Sequence, residues 1–187
     1  MDEFSYLSVL ISIIIGLAVT QILQGFRGLL QSRAHVRIYW PALTWAGLLL
    51  VISVQMWWSM FGLRTHVGWT FLGFSVVILQ TIFLYMLTGL VLPEVNGDAP
   101  VDLRENYFAH HGWLFGLAIL TVVTSLLKDL VLTGALPDHT NVAFHIFFIV
   151  LATMGALLKN EWFHKSAAVV MVVAFAAYIA TLFEHLH

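Results

Sequence analysis

The sequence contains no cysteine, which excludes disulfide bridges, thiolate metal sites and cysteine nucleophiles and leaves the redox compartment open. Charge is scarce as well. Only 10% of the 187 residues are Asp, Glu, Lys or Arg, against about 25% in an ordinary globular domain. The net charge of −2 supplies no basic field, so nucleic acid is not an expected partner. No G-x-S-x-G, H-E-x-x-H or Walker-type phosphate loop occurs, and with them the usual hydrolase signatures are missing. Nor does any Asp, Glu, Lys or Arg fall in the middle of an apolar stretch. That argues against an acidic proton relay and against a retinal-type Schiff base.

What the chain has instead is apolar length. Hydrophobic residues make up 60% and the mean hydropathy is +0.92, more apolar surface than a soluble domain of this size can hide. The charge-free intervals run 4–26, 38–63, 65–93, 106–127, 139–158 and 166–183, each long enough for a helix to cross a bilayer. The expectation is an all-α, polytopic integral membrane protein of six transmembrane helices, with the lipid bilayer as its first partner. Residues 1–93 carry helices one to three, 94–105 (EVNGDAPVDLRE) an acidic linker, and 106–187 helices four to six. Pro41 suits a first helical turn, Pro93 ends helix three, and Leu136-Pro137-Asp138 marks a turn. The N-terminal MDEF lacks a basic segment and a cleavage site, so the first apolar run reads as a retained span rather than a signal peptide.

That first run, 4–28, organises the reading. It carries a row of small or polar residues, Ser5, Ser8, Ser12, Gly16, Thr20, Gln24 and Gly28. Its i+4 spacing makes a ridge suited to close helix packing, or to lining a polar path. Displaced by 100 residues, Gly16-Leu17-Ala18 matches Gly116-Leu117-Ala118. Two three-helix halves in inverted orientation, as in many secondary transporters, would explain the match; so would chance.

Helix four supplies a second polar stripe: Thr121, Thr124, Ser125 and Lys128, with Asp129 beside it. Thr121, Thr124 and Lys128 should share one side. The sharper expectation is that this stripe meets Thr20, Gln21 and Gln24 of helix one to form a gate; the plainer one is a rim ion pair. Ser12 and mid-span Gln80 complete the transport-path candidates, and Gln55 adds a further neutral amide. Nine histidines offer the main route to a cofactor. His145 with His185 is the least unfavourable haem pair, and Glu161 with His164 has the Glu-x-x-His spacing of di-metal bundles. No matching second set exists, and no cofactor is expected. The leading functional expectation is a small transporter or channel subunit, not an enzyme, working as a homo-oligomer. The alternatives are a haem- or metal-bearing redox protein and a non-catalytic membrane scaffold.

Six of the eight Lys and Arg residues fall in the odd-numbered connections, which places those in the cytoplasm and both termini outside. Trp40, Trp57, Trp58, Trp69, Trp113 and Trp162 lie near span ends as an aromatic belt would require, and Trp45 lies deeper. A Ser32→Cys variant should therefore resist an impermeant thiol reagent applied outside intact cells. Prompt labelling from outside would reverse the topology.

Overall fold

The computed structural model describes residues 3–95 and 100–182. Six helices dominate it: α1 (Glu3–Gln31), α2 (Trp40–Met60), α3 (Phe71–Val91), α4 (Leu103–Thr133), α5 (His139–Leu157) and α6 (Glu161–Leu182). Each is long and apolar enough to cross a membrane, α2 being continued by the 3-10 turn Phe61–Thr65. The one extended pairing among the described residues joins β1 (Val36–Arg37) to β2 (Val101–Asp102), in parallel.

Helix ends follow local chemistry. Thr70, Asp102, Asp138 and Asn160 each accept a hydrogen bond from a first-turn N–H of the helix that follows, satisfying donors the helix leaves unpaired. Pro41 sits in the first turn of α2. Gly134, at φ 72°, ends α4 in the left-handed conformation, which glycine adopts without steric cost. Because Asp102 is the cap, α4 begins at Leu103, inside the stretch expected to be linker.

The helices form a ring. α1 lies along α3, α3 along α4 and α4 along α5, while α6 packs on α5 and α2 closes the circuit against α6 and α1. Large apolar side chains such as Val9, Ile13, Val150, Val169 and Val173 point outward. Ser53, Thr81 and Thr88 are buried and donate to carbonyls of their own helices. That is the arrangement a hydrocarbon solvent favours, with backbone groups satisfied locally and hydroxyls turned inward.

The middle of the α1 ridge, from Ser12 to Gln24, does not serve as a packing seam within the chain. Ser12, Gly16, Thr20 and Gln24 are exposed, and a Cβ built on Gly16 would meet nothing within 4 Å. α1 buries Leu7, Ile11, Ile15, Ala18, Ile22 and Leu29 instead, since the bulkier face offers more dispersion contact. Its closest approach to α3 comes at Gly25, where a Cβ would stand 2.9 Å from Leu92 Cδ1 and 3.0 Å from its Cβ. Alanine in a helix interior gains about 0.5–1 kcal/mol over glycine, whereas overpacking costs about 1–3 kcal/mol. Gly16→Ala should thus hold or raise the melting temperature in detergent and Gly25→Ala should lower it. Equal shifts for the two would contradict this packing.

Candidate functional site

Inside the ring the walls face a cavity, and helical periodicity explains which residues line it. α2 contributes Trp45, Leu49, Ile52, Gln55 and Met56, α3 contributes Gln80, Leu84 and Leu87, and α6 contributes Met171, Phe175 and Tyr178. Each set recurs at three- or four-residue steps and so shares one face of its helix. α4 adds Leu114, Phe115, Ala118, Thr121, Val122 and Ser125, and α5 adds His145 and Phe148. This inner chamber is about 110 Å³. It opens into a vestibule of about 350 Å³ lined by Ser59, Lys128, Asp129, Thr133 and Asn141 among others. Gln55, Met56, Gln80, Ser125, His145 and Tyr178 line both and form a collar between them.

The collar is where the polarity lies. Gln80 is 5% exposed and its Oε1 has no hydrogen-bond partner; Asn141 Oδ1 is likewise buried without one. His145 Nδ1 lies 2.9 Å from the Asn141 carbonyl. A carbonyl only accepts, so Nδ1 carries the proton and Nε2 keeps its lone pair. Farther out, Lys128 Nζ and Asp129 Oδ1 are 3.4 Å apart, and the two charges offset each other.

The vestibule lies at the end of the bundle that carries the α2–α3 and α4–α5 connections, where it is lined by Gly62, Leu63 and Pro137. The opposite end is held together by polar contacts. β1 of the first connection pairs with β2 of the third, and Arg37 reaches Asp102 at 3.1 Å across the same two segments. Arg104 contacts Glu161 at 2.9 Å, linking the third connection to the fifth, and Lys165 joins at 2.8 Å. Asp102 Oδ1 accepts the Glu105 and Arg104 N–H groups. These backbone bonds, with the Arg37 guanidinium, hold its carboxyl below the usual aspartate range. Behind the ties sits a plug of rings. Tyr107 OH donates to His164 Nδ1 at 2.9 Å, and His164 Nε2 donates to the Leu158 carbonyl at 2.7 Å. Phe115 stands 5.2 Å from Trp45 and 5.6 Å from His164, centroid to centroid. On its far side a Cβ on Gly155 would come within 2.8 Å of the Phe115 ring. Tyr39, at the approach to α2, has its phenol pushed up to about 12, chiefly by burial and further by the Glu161 charge.

The sequence candidates divide among these places. Gln80, Thr121, Ser125, Lys128 and Asp129 come together around the cavity. Thr124 does not line it; its hydroxyl donates to the Leu120 and Thr121 carbonyls. Ser125 rather than Thr124 lines the cavity with Lys128. Ser12 and Thr20 lie on the outer face of α1, and Thr20 donates to Gly16 O. Gln21 and Gln24 line a separate cleft between α1 and α3, where Thr88 donates to Gln21 Oε1 at 3.1 Å. The expected meeting of the α1 and α4 stripes is thus replaced by contacts of each with α3. Among the histidines, His145 is a collar residue and His185 lies outside the described residues. Glu161 and His164 have both their oxygens and both their nitrogens engaged, so their Glu-x-x-His spacing leaves no atom for a metal. No group of three or more metal-ligating side chains occurs among the described residues. Sequence reasoning missed Ser59, Asn141 and Tyr178 as cavity residues; each is a lone polar residue without a pattern of its own.

The plug yields a prediction. Tyr107 is 3% exposed and His164 fully buried, so Tyr107→Phe leaves His164 Nδ1 without its donor. Such orphaned groups cost about 1–3 kcal/mol, and thermal unfolding in detergent should fall accordingly. An unchanged midpoint would mean the bond contributes nothing.

No protein-family model matches this sequence, and no curated protein or solved structure matches it either.

Proposed function

We propose that this chain is a multi-pass membrane carrier that moves a small solute through the α2–α6 cavity. One observation carries the reading: the cavity is open at one end of the ring and closed at the other by three tied connections and a plug of rings. A channel would need a continuous path, whereas a carrier needs a site exposed to one side at a time. The distribution of Lys and Arg puts the closed end in the cytoplasm and both termini outside.

Two further expectations belong to this reading. The homo-oligomer finds support in small-residue surfaces that the chain's own helices leave uncovered, at Gly16 on α1 and Gly112 on α4; such surfaces permit close helix approach. An inverted repeat would give the carrier internal symmetry, with Gly16-Leu17-Ala18 and Gly116-Leu117-Ala118 as its sequence support. Within its own half, however, α1 lies chiefly along the third helix, α3, whereas α4 lies along the second, α5, and the proposal does not depend on the repeat.

The absence of native cysteine makes the test direct. In proteoliposomes a single Ser125→Cys should react with an impermeant thiol reagent added at the open end, and more slowly with reagent added at the tied end. Arg104→Gln loosens a tie that is exposed and correspondingly weak, so it should speed the slow reaction by roughly two- to fivefold. Reaction from the open end alone, unaffected by Arg104→Gln, would make the cavity a fixed receptor site and end the carrier reading.

A further inference from the structure

Resting on the carrier reading, and naming its substrate class, we propose that the cavity selects a small, uncharged phenol-type molecule, its ring in the chamber and its hydroxyl at the collar. Size sets the first limit. The chamber is about 110 Å³, somewhat below an apolar cavity of about 150 Å³ that takes up benzene. One six-membered ring is on this scale, with its substituent at the collar where the chamber opens into the vestibule. Wall chemistry sets the second. Trp45, Phe115, Phe148 and Phe175 surround the chamber with Met56 and Met171. Edge-to-face ring contacts and thioether contacts both favour an aromatic guest over an alkyl one.

The collar sets the third limit, and it is directional. Gln80 lines the chamber mouth, and its Oε1 is buried with no donor. The cost of such an orphan is recovered by a group that donates, which a phenol hydroxyl does and a hydrocarbon does not. His145 Nε2, left with its lone pair by the bond from Nδ1 to Asn141 O, is a second acceptor on the same collar. Asn141 Oδ1, buried and unpartnered at the vestibule, is a third. Acceptors of this kind reward a hydroxyl donor over an ether or a bare hydrocarbon. Charge sets the last limit. Lys128 and Asp129 neutralise each other, so neither a carboxylate nor an ammonium finds an uncompensated counter-ion there.

The test uses the full chain in lipid nanodiscs and fluorine NMR with three probes that share a ring: para-fluorophenol, para-fluoroanisole and para-fluorotoluene. Saturable binding is measured for each and divided by its uptake into empty nanodiscs. Para-fluorophenol should bind about two- to tenfold tighter than para-fluorotoluene, the range one net hydrogen bond supplies. Gln80→Leu should bring that ratio close to one while para-fluorotoluene still binds, and should not lower the melting temperature. Ala118→Phe fills the chamber and should abolish saturable binding of all three; Val122→Phe serves where that variant misfolds. Equal or tighter binding of para-fluoroanisole overturns the donor assignment. A phenol preference that survives Gln80→Leu overturns the role of Gln80. Absence of saturable binding by every probe overturns the phenol class. In that last case two-sided labelling of Ser125→Cys still supports carriage of a different solute, so the two readings fail separately.

Discussion

Asp102 caps α4 through Oδ1 while its Oδ2 takes Arg37 from the connection between α1 and α2. One carboxylate thereby fixes where α4 begins and where the first connection lies, and the β1–β2 pairing runs beside it. Two residues on, Arg104 reaches Glu161 at the start of α6. These contacts are exposed, and singly each is weak. Together they bring the ends of α2, α4 and α6 to one place, and that convergence lets Tyr107, Phe115 and His164 pack as a plug. The closed end of the bundle is thus a consequence of polar chemistry at its margin, enforced on apolar helices that have no ionic means of orienting one another.

The open end is the complement of this arrangement. The α4–α5 connection is short and turns at Gly134 and Pro137. Among the described residues, no ion pair joins it to the α2–α3 connection. The one pair at that end, Lys128 with Asp129, lies within α4 and holds no two helices together. A ring of helices pinned at one end and free at the other leaves its internal space tapering toward the pinned end. Here the taper ends at Trp45 and Phe115, whose rings meet edge to face.

Much of this was legible in the sequence, for reasons specific to particular residues. Arg27, Arg64, Glu94 and Lys128 bounded the apolar runs because charge is excluded from a span, and Pro41, Pro137 and Asp138 marked helix starts. Ser125 and Lys128 stood out because polar groups are rare on an apolar helix, and both line the cavity. The face each residue turned toward was harder to read. Gly16 looked like a seam because its row is small, yet the chain buries Ile11, Ile15 and Ile22 opposite it. Thr124 and Ser125 are neighbours, and a single-residue rotation of about 100° separates wall from interior. Asn141 and Tyr178 carried no periodic signal, since each becomes part of the collar only when α5 and α6 are placed beside α3 and α4.

Phe115 rests against Gly155 so closely that even a methyl group there would touch the ring. The inner wall of the chamber is therefore positioned from behind, by a residue of α5 that lines neither the chamber nor the vestibule. A side chain at 155 would displace the ring, and with it the chamber wall, without altering any other lining residue. The shape of the chamber thus depends on the absence of a side chain at one position behind a single phenyl ring, while the polar groups of the collar stand apart from it.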